Sequence, residues 1–146
     1  MKLTELQTKQ LRLLKETIDY YSIDPNNRRS LDTEMNPGLH LDDANCIYSP
    51  HGKSQGCAIG RLIPKALANS FDSRTESIEE FGTPIVKDIF NELPTQLQEL
   101  GINYLTNLQI LHDSPFHWNE EGLTDRGEEF VEEFRQKIMT GVNKFN

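Results

Sequence analysis

Apolar side chains recur at helical spacing along much of this chain, and the breaks in that spacing mark its turns and loops. Leu11, Leu14, Ile18 and Tyr21 stand three or four residues apart, with Lys9, Arg12, Lys15 and Glu16 on the rest of the cylinder. That period predicts an amphipathic helix. Thr4 followed by Gln7 supplies its start, a capping box in which the threonine accepts from a backbone N–H and the glutamine reaches back. The turn residues "DPNN" at 24–27 end it. In the second half, "TPIVKDIFNEL" at 83–93 opens on a threonine cap and a proline at the first helical position. "PTQLQELG" at 94–101 reads as a short helix closed by glycine, and Ile102, Leu105, Leu108 and His112 trace the apolar face of another. Thr124 caps a last helix whose buried stripe is Phe130, Val131, Phe134 and Ile138.

Elsewhere the helical period is lost. Residues 28–45, "RRSLDTEMNPGLHLDDAN", are polar, contain Pro-Gly and read as a long loop. "CIY" at 46–48 has β-branched and aromatic character and precedes the turn-rich "SPHGKSQG", which predicts a short β-hairpin near 46–57. "CAIGRLI" reads as a buried segment, and Pro64 suits the first turn of a following helix. "SPFHWNEEG" at 114–122 reads as a loop with a large aromatic payload, Trp118 plugging the core from outside. The expected fold is mainly α (α+β at most), one compact helical domain over 1–146 with a short hairpin near 46–57.

Length and composition agree with this. At 146 residues the chain is the size of one ordinary domain. No run approaches the roughly 18 apolar residues of a membrane helix, and the polar N-terminus has no signal-peptide core. A cytoplasmic location and no membrane partner are expected. The net charge of −8 argues against general nucleic-acid binding. Its acid crowds the C-terminal region, at Glu120, Glu121, Asp125, Glu128, Glu129, Glu132 and Glu133, and reads first as a solvated helix face. Cys46 and Cys57 make no disulfide framework and are expected as free thiols.

Three constellations could carry chemistry. Arg28, Arg29, Lys53 and Arg61, joined by Trp118 as a platform, have the forked and point charges that hold a carboxylate or phosphate, and the glycines of "HGKSQG" allow close backbone approach. "GKS" is not a P-loop, because the upstream glycine of that motif is missing. The second constellation is a nucleophilic Cys57 with His112 as base. Asp113 follows His112 directly, and neighbours on a helix point about 100° apart, so Asp113 is not expected to orient it unless the helix ends there. The competing reading of Cys57 is a small buried thiol beside Ala58 and Ile59. The third is a metal site of Cys46, His51 and Cys57, closed by another histidine, although the spacing matches none of the paired-cysteine zinc patterns.

The segments "YYSIDPNNRRS", "CIYSPHGKSQGCAIGRLI", "LPTQLQELGINYLTNLQILHD" and "HWNEEGLTDRGEEFVEEF" together resemble a family of small bacterial and phage proteins of no assigned activity. Its pattern runs Y-Y, P-x-x-R-R, C-x-Y, a glycine-containing turn, C-A-[IV]-G-R and L-Q-x-L-H-D followed by a tryptophan. The resemblance implies that Arg28, Arg29, Cys46, Tyr48, Cys57, Gly60, Arg61, His112, Asp113 and Trp118 stand at motif positions. Packing alone accounts least well for the charged ones, Arg61 above all.

The reading favoured by charge and motif is a non-catalytic binding or regulatory module, phage-encoded or bacterial, with no cofactor. Its partner is then a host protein or a small anionic ligand. The alternatives are a cysteine-dependent hydrolase or transferase using Cys57, His112 and Asp113, and a zinc-stabilised interaction domain.

Overall fold

The computed structural model describes residues 2–29, 48–50, 54–75, 87–114 and 116–141. Helix α1 (Glu5–Ile23) starts at the expected capping box: Gln7 N donates to Thr4 Oγ1 at 3.0 Å and Thr4 N to Gln7 Oε1 at 2.7 Å. Its most buried positions are Gln10, Leu14, Thr17 and Tyr21, while Leu11 and Ile18 are half-buried. The stripe thus includes two polar residues that periodicity alone passes over. Each has a partner: Gln10 Nε2 donates to Leu100 O at 3.0 Å, and Thr17 Oγ1 to Leu13 O at 2.7 Å. Burial without such bonds would cost far more than these residues return.

Pro25 opens the one-turn helix α2 (Pro25–Arg28). Further on, Tyr48 is fully buried, and the Asp72 carboxylate pins its segment, accepting from Tyr48 N at 2.6 Å and from Ser49 N at 3.1 Å. The chain crosses itself closely here. A Cβ at Gly60 would lie 2.0 Å from the Tyr48 carbonyl oxygen, and one at Gly56 2.2 Å from it. Only glycine fits this approach. A 3-10 turn (Gly60–Leu62) leads to α3 (Lys65–Thr75), with Pro64 just before its first residue as expected.

Three helices follow, α4 (Lys87–Glu92), α5 (Thr95–Gln98) and α6 (Ile102–Asp113). The first four residues of the segment expected to be helical at 83–93 lie outside the described residues. Two short antiparallel strands, β1 (Trp118–Asn119) and β2 (Gly122–Leu123), precede α7 (Asp125–Thr140). Thr124 caps α7 by accepting from Gly127 N at 3.1 Å, and Gly141 closes it in the left-handed conformation. Helix α7 packs on α1 and α6, and one core joins Leu14, Tyr21, Tyr48, Phe71, Leu105, Leu108 and Phe134.

The chain is mainly α, and its described residues hold one short antiparallel hairpin, at 118–123; the hairpin expected near 46–57 falls in part on residues outside the described ones. Turn chemistry explains the location. Asn119 Oδ1 accepts from Glu121 N at 2.8 Å, and Gly122 takes a φ of 129°. Within 46–57, residues 46, 47 and 51–53 lie outside the described residues, and Ser54 makes an isolated bridge. No helix among the described residues is long and apolar enough to cross a membrane.

Candidate ligand-binding site around Tyr20 and Tyr21

The consecutive tyrosines of α1 gather most of the residues that the sequence singled out. Tyr21 faces the core, fully buried, and its hydroxyl donates to Gly56 O at 2.7 Å. Its ring meets His112 edge-on at 4.9 Å and Trp118 at 6.1 Å between centroids. Burial first, and then the neighbouring Cys57 thiol, push the Tyr21 hydroxyl well above its ordinary pKa. Tyr20 points outward, half-buried, with its hydroxyl accepting from Gln55 N at 3.1 Å.

Two guanidinium groups lie against the Tyr20 ring. The Arg28 carbon is 4.6 Å from the ring centroid and the Arg61 carbon 4.9 Å. Such stacking suits the weakly hydrated guanidinium. Arg61 also grips Glu16 with both terminal nitrogens and donates to Thr17 Oγ1 at 3.2 Å. Its Nε is buried and has no hydrogen-bond partner among the described residues, and neither does Gln109 Nε2. An amide flip does not rescue Gln109, whose Oε1 already accepts from Ile59 N at 3.2 Å. Among the described residues the Arg28 side chain makes one hydrogen bond, from Nη1 to Tyr20 O at 3.1 Å, and has no carboxylate partner.

Arg29 takes a different role. Its Nε donates to His112 O at 2.8 Å, and its Nη2 to Asp113 O at 3.1 Å and Ser114 O at 3.2 Å. Just upstream, Leu111 O accepts from Trp118 Nε1 at 2.8 Å and from His117 Nδ1 at 3.1 Å. The carbonyls that a helix leaves unsatisfied at its C-terminus are here met by three side chains from two separate places. A cation at that end also complements the helix dipole. Burial still pushes the Arg29 pKa down to about 10.

His112 Nδ1 lies 2.6 Å from Asp113 Oδ1. The expectation that Asp113 fails to orient its neighbour is corrected by the helix boundary. Helix α6 ends at Asp113, and the next residue, Ser114, is extended, so the last carboxylate folds back onto the ring. The contact fixes a proton on Nδ1. His112 is fully buried, and desolvation keeps its pKa below the ordinary value despite the bond to Asp113.

Of the expected anion-binding residues, the structure brings Arg28 and Arg61 together on Tyr20. It places Trp118 on Tyr21 and Arg29 at the end of α6, and Lys53 lies outside the described residues. Arg61, unexplained by packing in the sequence, has the Glu16 carboxylate and two aromatic faces. Cys57 and His112 both neighbour Tyr21; the thiol is fully buried. Cys46 and His51 lie outside the described residues, among which no group of His, Cys, Asp and Glu is arranged to hold a metal ion. Sequence reasoning placed Tyr21 on the apolar stripe of the first helix but missed Gln109, gave Tyr20 no role, and put Glu16 only on the polar face. The helical period turned Tyr21 toward the core, but nothing local showed that the Tyr20 ring meets two arginines. No protein-family model, curated protein or solved structure matches the chain.

Proposed function

We propose that this protein is a cytoplasmic, non-catalytic binding or regulatory module that holds a small anion beside the Tyr20 ring, with Arg28 and Arg61 as its donors. The observation that carries this reading is Arg28. In a chain of net charge −8, a half-buried guanidinium stacks on an aromatic ring beside a second guanidinium and has no carboxylate of its own among the described residues. The unpartnered Arg61 Nε adds a donor to the same group. Planar carboxylates and tetrahedral phosphates both suit such forks. Thermal unfolding in the presence of phosphate, sulfate and carboxylates at matched ionic strength tests it. A binding anion raises the midpoint progressively, roughly with the logarithm of its concentration once that exceeds Kd, and Arg28→Met removes the rise. No anion-dependent rise above that of chloride refutes the reading.

The alternative, a cysteine-dependent enzyme, needs an accessible thiol, and Cys57 is fully buried. Iodoacetamide followed by peptide mapping is expected to leave Cys57 unmodified until the chain is unfolded; rapid labelling of the folded protein favours the enzyme. A second binding reading, a basic protein partner, draws on the exposed Glu128, Glu129 and Glu133 of α7, which have no ion pair among the described residues.

A further inference from the structure

The two partners of the Glu16–Arg61 ion pair are held unequally. The Arg61 side chain is 9% exposed and the Glu16 side chain 50% exposed. Arg61 keeps contacts that do not involve Glu16: the Tyr20 and Tyr21 rings, and Thr17 Oγ1 at 3.2 Å. The guanidinium is therefore fixed in place independently, whereas the carboxylate is held by the guanidinium. Releasing a half-exposed carboxylate from such a pair costs little.

Each terminal nitrogen of Arg61 takes one Glu16 oxygen, the two-pronged geometry of carboxylate recognition. This fork is already shaped for a carboxylate and already carries one. Beside it on the same ring lies Arg28, with no carboxylate among the described residues.

We propose that Glu16 occupies, in the free protein, the place of a ligand carboxylate, and that the ligand is a small dicarboxylate. One of its groups displaces Glu16 from Arg61 and the other reaches Arg28 beside the Tyr20 ring. This rests on the anion-binding reading above and adds the ligand class and an internal competitor. The guanidinium carbons lie 4.6 and 4.9 Å from one ring centroid and so no more than about 9.5 Å apart, within the reach of a four-carbon dicarboxylate paired at both ends. A carboxylate carried on the same chain competes at a fixed effective concentration. The site therefore fills only when free ligand is abundant enough to outcompete it.

The test follows the arginine Nε–H resonances of the full chain by NMR, titrated with succinate and with acetate at matched ionic strength. Glu16→Gln removes the competing charge; Glu16→Asp keeps the charge but shortens its reach. Both variants are expected to bind succinate about two- to fivefold more tightly than wild type, the factor that a half-exposed ion pair supplies. Arg28→Met is expected to erase the preference for succinate over acetate. Equal succinate affinity in wild type and both Glu16 variants overturns the competitor role and leaves anion binding standing. A succinate preference that survives Arg28→Met overturns the dicarboxylate assignment. Succinate that shifts neither Arg28 nor Arg61 in any of these proteins overturns the anion-binding reading as well.

Discussion

Replacing Arg29 with methionine removes the guanidinium from the C-terminal end of α6 and keeps a side chain of similar length. Three backbone carbonyls, those of His112, Asp113 and Ser114, lose a charged donor together. Losing a hydrogen bond to a charged group costs about 1.5–3 kcal/mol in a buried setting. Part of that loss is offset, because methionine no longer has to be desolvated as a cation, a cost visible in the Arg29 pKa pushed down to about 10. The expected net destabilisation is about 3 kcal/mol, or roughly 6–12 °C in Tm for a chain of this size. The assay is built into the molecule. Trp118 is the only tryptophan, and its indole donates to Leu111 O at the same helix end. Urea unfolding followed by its fluorescence reports the midpoint directly. Arg29→Lys is expected to recover less than half of the loss, because a single ammonium lacks the planar fork that spans these carbonyls. A methionine variant within about 1 kcal/mol of wild type, or a lysine variant that restores full stability, refutes the argument.

Acidification should destabilise the fold before the carboxylates titrate. His112 and His117 both have their pKa lowered from 6.5, burial being the main cause in each. The unfolded chain takes up protons near 6.5 while the folded chain holds both rings neutral, so stability is full above that pH and falls as pH drops below it. A urea midpoint at about pH 5.5 equal to or above that at about pH 7.5 contradicts this sign. Gly60→Ala places a methyl group 2.0 Å from the Tyr48 carbonyl oxygen and 2.5 Å from the Tyr48 Cα. Backbone cannot step aside as a side chain does, and a loss of about 3 kcal/mol or more is expected by urea unfolding; a midpoint close to wild type speaks against so tight a crossing.

Local signals carried the helices further than the site. The Thr4–Gln7 box, the Thr124 cap and the stripe of α7 were legible because each depends on residues within a few positions of one another. Gln10 and Thr17 escaped the periodic reading of α1, because their partners lie on other elements or on the helix backbone itself. The hairpin at 118–123 went unread because "WNEEG" hides its turn in one asparagine side chain and one positive-φ glycine. At the site, charge type was legible and destination was not. Arg28 and Arg29 are adjacent in sequence, yet one stacks on Tyr20 and the other caps a helix. Nothing local distinguishes them, since the acceptors of Arg29 lie 83 to 85 residues away.

That separation has a consequence for the order of folding. The Leu111 carbonyl takes its donors from His117 and Trp118, six and seven residues further on, so this part of the helix end closes early through a short loop. The Arg29 contacts need the two halves of the chain to meet, and contacts of such separation form late. Interactions absent from the transition state act on the escape rate and leave the folding rate nearly unchanged. Removing Arg29 should therefore leave refolding at its original speed and make unfolding faster. The role expected of this one arginine is to set how long the folded molecule lasts rather than how quickly it forms.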